Sequence, residues 1–465
     1  MFDLIIRNGT VATAADVFEA DIGIIDGRIA QIGRDLGPAR REIDAAGKYV
    51  LPGGIDSHVH ISQPSGAGIT MADDFESGTR SALFGGNTTV MPFCLPEKGA
   101  PLREALADYH ALAEGNCYTD VSFHIILNDP TPQLFGQDLP ALIAKGYTSV
   151  KVFMTYDDLK ISDGDILRTL DTARAHGGTV QVHCENEDAI KYLIERAERE
   201  GNITPFFHTQ VRPIAAEREA THRALTLAEV SESPIVIVHV SNAEAIGEIS
   251  ASRARGVKVI GETCPQYLLL TAEDLRDMDW EGAKLVCSPP PRDKASQEAC
   301  WRGIENGIFD LFSSDHCPFR YNDVSGKQAP KAKTSFRHIP NGIPGVELRM
   351  PILFSEGVLK GRIDLPRFVA LTATNHARAF GLYPRKGTIA IGSDADITIW
   401  DPEAEYTVTH ADLHDNADYT PYEGLRLKGR PETVVLRGKV MIERGALVGD
   451  RGDGHYQPAT PHPAR

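Results

Sequence analysis

From residue 55 to residue 314 the chain repeats one unit, a short apolar run of strand character followed by a longer segment of helical character. The strand-like runs are 55–60, 88–92, 121–126, 149–153, 179–183, 235–240, 257–262 and 310–314. Helical patterns at 102–114, 166–176, 188–200, 218–231 and 243–255 separate many of them. Eight short apolar strands alternating with helices predict a (β/α)8 barrel, with its strands buried inside and its helices outside.

The two ends have a different texture. Short strand-like runs at 4–7, 20–25, 28–32 and 42–44 alternate with turns, and Asp26-Gly27 is a hairpin signal. The same texture returns at 395–400, 432–436 and 440–443. The expectation is an α/β protein, a TIM-like (β/α)8 barrel over 53–385 with a small β-sandwich domain built from both chain ends, 1–52 and 386–450. The remaining stretch, 451–465, reads as a C-terminal tail or an intersubunit arm.

Composition narrows the partners. At 465 residues the chain is long enough for one large core and a smaller one, and its net charge of −16 disfavours nucleic acid and anionic membrane surfaces. No run approaches the roughly 18 apolar residues of a membrane span. The N-terminus, Met1-Phe2-Asp3-Leu4-Ile5-Ile6-Arg7, has an early acid and too short an apolar run for a signal peptide. Seven cysteines are scattered singly, the pattern of reduced thiols in a cytoplasmic protein.

The chemistry sits where the strands end. Leu51-Pro52-Gly53-Gly54-Ile55-Asp56-Ser57-His58-Val59-His60 closes the first strand with two histidines on one face, since strand side chains alternate. Lys151 lies inside the fourth strand, His183 ends the fifth, His239 ends the sixth, and Asp315 follows the eighth. Taken singly, a strand-end histidine is more often a core residue, and Asp315 is equally a helix N-cap. In a barrel, however, these strand ends converge on one mouth. Lys151 has no bland account, because an ammonium among apolar strand residues loses several kcal/mol of hydration unless paired or neutralised. Carbamylation by carbon dioxide would turn it into a carboxylate able to bridge two metals. Four histidines, that carbamate and Asp315 would then form a binuclear site, where metal lowers the pKa of water from about 15.7 toward about 7.

At this point the chain resembles the amidohydrolase superfamily and, within it, the dihydropyrimidinase/hydantoinase family. The motifs that carry the resemblance are Pro52-Gly53-Gly54-Ile55-Asp56-Ser57-His58-Val59-His60, Ser149-Val150-Lys151-Val152-Phe153-Met154, Val182-His183-Cys184-Glu185-Asn186 and Val238-His239-Val240-Ser241. Glu262-Thr263-Cys264-Pro265-Gln266-Tyr267, Ser288-Pro289-Pro290, Ser314-Asp315-His316-Cys317-Pro318 and Ile339-Pro340-Asn341-Gly342 extend it over nearly the whole chain.

The resemblance implies two divalent ions, zinc or in its place manganese or cobalt, and N6-carboxylysine at Lys151. His58, His60 and Asp315 would hold one metal and His183 and His239 the other. Tyr156 matches the residue that binds the ring carbonyl and stabilises the oxyanion. Ser288 and Asn341 match residues that hydrogen-bond a cyclic ureide or imide through backbone groups. The implied activity is hydrolysis of the ring amide of 5-substituted hydantoins and 5,6-dihydropyrimidines to N-carbamoyl amino acids, by a homotetramer or homodimer, with D-selectivity. Allantoinase is the alternative activity, and the same fold includes collapsin-response-mediator proteins, which bind partners without catalysis. Dihydroorotase is disfavoured, since Ile61-Ser62-Gln63-Pro64 after His60 holds no basic residue for a carboxylate. The loop 62–73 is expected to line the pocket mouth. Cys184 and Cys317 are expected to be packing residues, and His124 and His316 hydrogen-bonding neighbours of the ligands.

Overall fold

A computed structural model describes residues 1–66, 68–276 and 280–462. The expected alternation is present. Parallel strands Gly54–Val59, Asn87–Cys94, His124–Ile126, Ser149–Phe153, Thr179–His183, Ile235–Ile237, Val259–Thr263 and Leu311–Phe312 lie side by side in chain order. A parallel bridge between Val59 and His316, with the His60 amide donating to the His316 carbonyl at 2.6 Å, brings the first and last strands together. The contact falls beside the histidine pair and Asp315, so the seam of the barrel is also a wall of its mouth.

Alternation sorts the side chains. Val150, Val152, Val180 and Val182 face outward into a core shared with Ile166, Leu170 and Ala173 of helix Asp163–His176, which leaves Lys151 and His183 facing the barrel axis. The turns after two of these strands are fixed by N-caps. The side chain of Asn186 accepts from the Ala189 amide to start helix Glu187–Arg199, and Asn242 accepts from the Glu244 and Ala245 amides to start Ala243–Ala254. Each cap lies three residues beyond a candidate ligand, His183 or His239, so it sets the path on which that imidazole is carried.

Three expected strands differ in extent. The run 121–126 is split into Asp120–Val121 and His124–Ile126, the run 235–240 pairs only over Ile235–Ile237, and 310–314 only over Leu311–Phe312. In the last two the chain leaves extended geometry to turn a polar residue into the mouth: His239 has φ 40° and Asp315 φ 52°.

The chain ends build one mixed sheet with a core of its own. It comprises Phe2–Ala12, Val17–Ile25, Arg28–Gly33, Ala39–Asp44 and Tyr49–Pro52 from the N-terminal end, and Ile397–Thr407, Arg426–Leu436, Lys439–Glu443 and Ala446–Leu447 from the C-terminal end. Leu4, Ile22 and Val50 meet Ile397, Val435 and Val440 in that core. The sheet is bolted to the barrel by Lys386, buried between Asp120 at 2.7 Å and Asp396 at 2.6 Å, with Arg437 also bound to Asp120.

The final stretch, expected as a tail or an intersubunit arm, packs on its own chain over part of its length. Between His455 and His462 it lies along its own barrel: Val121 donates to the His455 carbonyl, Gln457 to Val121, Ala459 to Gly146 and His462 to Gly177. Residues 463–465 of the expected tail, and residue 67 of the loop 62–73, lie outside the described residues. Among the described residues no helix is long and apolar enough to cross a membrane.

Candidate metal centre

Six side chains from the ends of four barrel strands and the loop after the eighth meet at the mouth. His58 Nε2 lies 3.2 Å from Asp315 Oδ1 and 3.3 Å from Lys151 Nζ, and His60 Nε2 lies 3.5 Å from the same Asp315 oxygen. One donor atom from each of His58, His60 and Asp315 falls within 4.8 Å of the others. Beside this triad, His183 Nδ1 and His239 Nε2 face each other at 2.8 Å, and the His58 and His239 rings are 5.4 Å apart.

The outer nitrogens decide what the inner ones offer. His58 Nδ1 meets Glu262 Oε1, His60 Nδ1 meets Gln63 Oε1 and His183 Nε2 meets Glu185 Oε2, each at 2.7 Å. Each partner is an acceptor, so the proton sits on the outer nitrogen and the inner nitrogen presents a lone pair to the centre. Burial pushes the imidazoles of His58, His183 and His239 below their usual pKa, with the Lys151 charge adding to the effect. Neutral imidazole is the ligating form. Burial works to raise the Asp315 carboxyl, but neighbouring His58 and His60 outweigh it and hold it below its usual range. Three inward lone pairs and an ionised carboxylate in one buried space suit divalent cations, so the residues present fit a metal centre.

Backbone strain gathers here too. Tyr156 (φ 72°), His239 and Asp315 all occupy the left-handed region that non-glycine residues avoid, at about 1–3 kcal/mol each.

Next to the centre stands a second group of polar side chains. The Tyr156 ring meets His183 edge-on at 5.5 Å, and its hydroxyl hydrogen-bonds Ser288 and Asn341. Burial raises the Tyr156 pKa, opposed by Arg212, whose guanidinium lies 5.4 Å from the ring centre. Tyr156 is thereby kept as a neutral donor. All nine residues singled out from the sequence therefore lie in one place: His58, His60, Lys151, His183, His239, Asp315 and Tyr156 with its neighbours Ser288 and Asn341 on the same wall.

Sequence reasoning assigned no role to Glu262, Glu185, Gln63 or Arg212. Glu262 had a legible signal, a carboxylate inside an apolar strand, and it takes both His58 Nδ1 and the His239 amide (3.1 Å). Arg212, which pairs with Glu185 at 2.6 Å, comes from a loop without pattern. His124 and His316 support the ligands through the main chain and not by hydrogen bonds from their rings to the ligand side chains. His124 donates to the Ser57 carbonyl at 2.9 Å and contacts Ser149, while His316 pairs with Asp73 at 2.8 Å. Both brace the backbone that carries His58 and Asp315, because their rings are used up by these partners. Cys184 is buried as expected, and Cys317 is half-buried.

The chain matches the amidohydrolase family over residues 49–441. It is 46% identical to a D-hydantoinase from Rhizobium radiobacter, over 98% of each chain. A crystal structure of dihydropyrimidinase from Brevibacillus agri superimposes with a TM-score of 0.96 at 42% identity, covering 99% of both chains. The L-hydantoinase (dihydropyrimidinase) of Arthrobacter aurescens is more distant, with a TM-score of 0.88 and 30% identity over 98% of this chain and 99% of that one. Barrel, metal-ligand triad and near full-length identity agree: the chain belongs to the amidohydrolase superfamily and, within it, to the D-hydantoinase/dihydropyrimidinase family of metal-dependent cyclic amidases.

Proposed function

We propose that the protein hydrolyses the ring amide of 5-substituted hydantoins and 5,6-dihydropyrimidines to N-carbamoyl amino acids, through a binuclear centre bridged by N6-carboxylated Lys151. The observation that carries the reading is the state of Lys151. It is 1% exposed, and among the described residues its Nζ hydrogen-bonds only His58, at 3.3 Å, and pairs with no carboxylate. Burial pulls its pKa down to about 8. Lys386 shows what this protein does with a buried lysine that stays cationic: it surrounds it with Asp120, Asp394 and Asp396, and the pKa rises. Lys151 has the His58 Nε2 nitrogen in place of those paired carboxylates. A neutral amine there is nucleophilic enough to take up carbon dioxide, and the resulting anion has ligands of both metals beside it.

His58, His60 and Asp315 would hold one ion and His183 and His239 the other, zinc first and manganese or cobalt as substitutes. Such ions supply Lewis acidity and a water that ionises near neutral pH. The residues of the chain do the rest. Main-chain groups of Ser288 and Asn341 hold the ureide edge of the ring. Tyr156 donates to the ring carbonyl oxygen as negative charge builds on it. Asp315 accepts the proton of the attacking water and returns it to the ring nitrogen as the C–N bond breaks. A new C–O bond replaces it, and the product is the open N-carbamoyl acid.

D-selectivity is supported by 46% identity to a D-hydantoinase against 30% to an L-hydantoinase. Cytoplasmic location is supported by seven cysteines that are all free thiols, six of them buried. A homotetramer or homodimer follows from the family resemblance. Metal-loaded protein tested on dihydrouracil, D- and L-5-substituted hydantoins, allantoin and dihydroorotate checks the substrate class. Turnover of dihydrouracil and the D-hydantoins is expected. Turnover of allantoin alone would make the protein an allantoinase, and silence on every ring would overturn the reading.

A further inference from the structure

One atom, Lys327 Nζ, donates to two main-chain carbonyls, Val286 at 2.9 Å and Pro340 at 2.7 Å. Lys327 is 0% exposed, and among the described residues no carboxylate pairs with it. Burial brings its pKa down to about 7, opposed by the thiols of Cys287 and Cys317. A neutral amine has two N–H groups and an ammonium three, so both carbonyls are served in either state.

The position of those carbonyls matters. A peptide unit is planar, with the C=O of one residue antiparallel to the N–H of the next. Holding the Pro340 carbonyl therefore aims the Asn341 amide. On the other segment, His208 Nε2 donates to the Cys287 carbonyl at 2.9 Å and lies 3.3 Å from Ser288 Oγ, which aims the Ser288 amide in the same way. The Val286 carbonyl also accepts from the Gly342 amide at 3.0 Å, so Lys327 closes a ring of contacts that joins the two segments. The segment 340–342 has little slack. Gly342 sits at φ 147°, where a Cβ would lie 2.3 Å from the Cys317 carbonyl oxygen.

We propose that Lys327 is a positioning residue for substrate: by bracing the carbonyls of Val286 and Pro340 it sets the spacing and aim of the main-chain groups of Ser288 and Asn341 that receive the cyclic ureide. This rests on the reading that Ser288 and Asn341 meet the ring. The brace touches neither the metal ligands nor the reacting carbonyl, so its loss weakens ring binding before it slows chemistry.

The test is the kinetics of K327M, which keeps the length and loses both donors, against K327Q, which keeps an amide with two N–H groups. In K327M, KM for dihydrouracil should rise about tenfold, with kcat within about threefold, the metal content unchanged and the pH profile of kcat/KM unchanged in shape. K327Q should recover most of the KM. Should K327M not fold, K327A supplemented with n-propylamine replaces it, with amine-dependent recovery of KM expected. A wild-type KM in K327M overturns the proposal. So does a parallel fall of kcat and metal content, a K327Q no better than K327M, or K327A indifferent to the amine. A crystal structure of the wild-type protein with hydantoin separates this from the reading beneath it. A ring bonded to the main chain of Ser288 and Asn341, with an unchanged KM in K327M, overturns the brace alone; a ring seated away from both overturns the reading and the brace together.

Discussion

Glu262 stands directly behind His58, its Oε1 2.7 Å from the Nδ1 of that ring, and the same oxygen takes the His239 amide at 3.1 Å. One buried carboxylate thus orients candidate ligands of both proposed metals. Ser313 Oγ, 2.7 Å from its other oxygen, fixes the carboxylate in turn. Replacing Glu262 with Gln keeps the shape and removes the charge that makes His58 a stronger base. Metal affinity, measured against a competing chelator, should fall about 10-fold for E262Q and nearer 100-fold for E262A. Unchanged affinity in both would show that His58 needs no such partner.

Lys151→Ala would remove the proposed bridge. Bound metal should drop and ring hydrolysis should fall by more than about 100-fold, with partial recovery when a short carboxylic acid is added to stand in for the carbamate. Metal analysis and turnover with and without added propionate check this. Wild-type activity in K151A would refute the bridge.

Tyr156→Phe leaves the ring packed between His183 and Arg212 and deletes only the hydroxyl. If that hydroxyl meets the developing oxyanion, kcat should fall about 10²- to 10³-fold while KM moves by less than about threefold. Steady-state kinetics on dihydrouracil decide it; a fall confined to KM would make Tyr156 a binding residue only.

His208 gives the stability of the protein a pH dependence of its own. Burial, with Arg212 adding its charge, holds its pKa near about 3, whereas in the unfolded chain it titrates near 6.5. Below pH 6.5 the unfolded state takes a proton that the folded state refuses. Stability is therefore lost as pH falls, by about 1.4 kcal/mol per pH unit for this one group, or about 2 kcal/mol at pH 5. Urea midpoints at pH 7.5, 6 and 5 should fall for the wild type and fall less steeply for H208Q. Parallel curves would contradict the assignment.

How far the chain can be read without its structure follows from what each signal depends on. Strands such as Ser149–Phe153 and Thr179–His183 were legible to the residue, because a fully buried parallel strand is a clean apolar run. The strands before His239 and Asp315 read too long, because the positive φ that turns those side chains inward has no compositional mark. Metal ligands are polar residues where apolar ones belong, and they stand out. Gln63 and Arg212 lie in loops where polar residues are ordinary, so only proximity to His60 and Glu185 reveals them. The path of the C-terminal stretch was not legible for a related reason: its Gly, Pro and His content reads as a tail, and the carbonyls and amides that hold it belong to barrel segments far away in sequence.

The most direct test of the account is a zinc titration of metal-free protein, with ring opening of dihydrouracil as the readout, run with and without bicarbonate. Activity should climb to a plateau at two zinc ions per chain, and only where bicarbonate is present to carboxylate Lys151. A plateau at one zinc, or full activity without any source of carbon dioxide, would contradict a lysine-bridged binuclear centre.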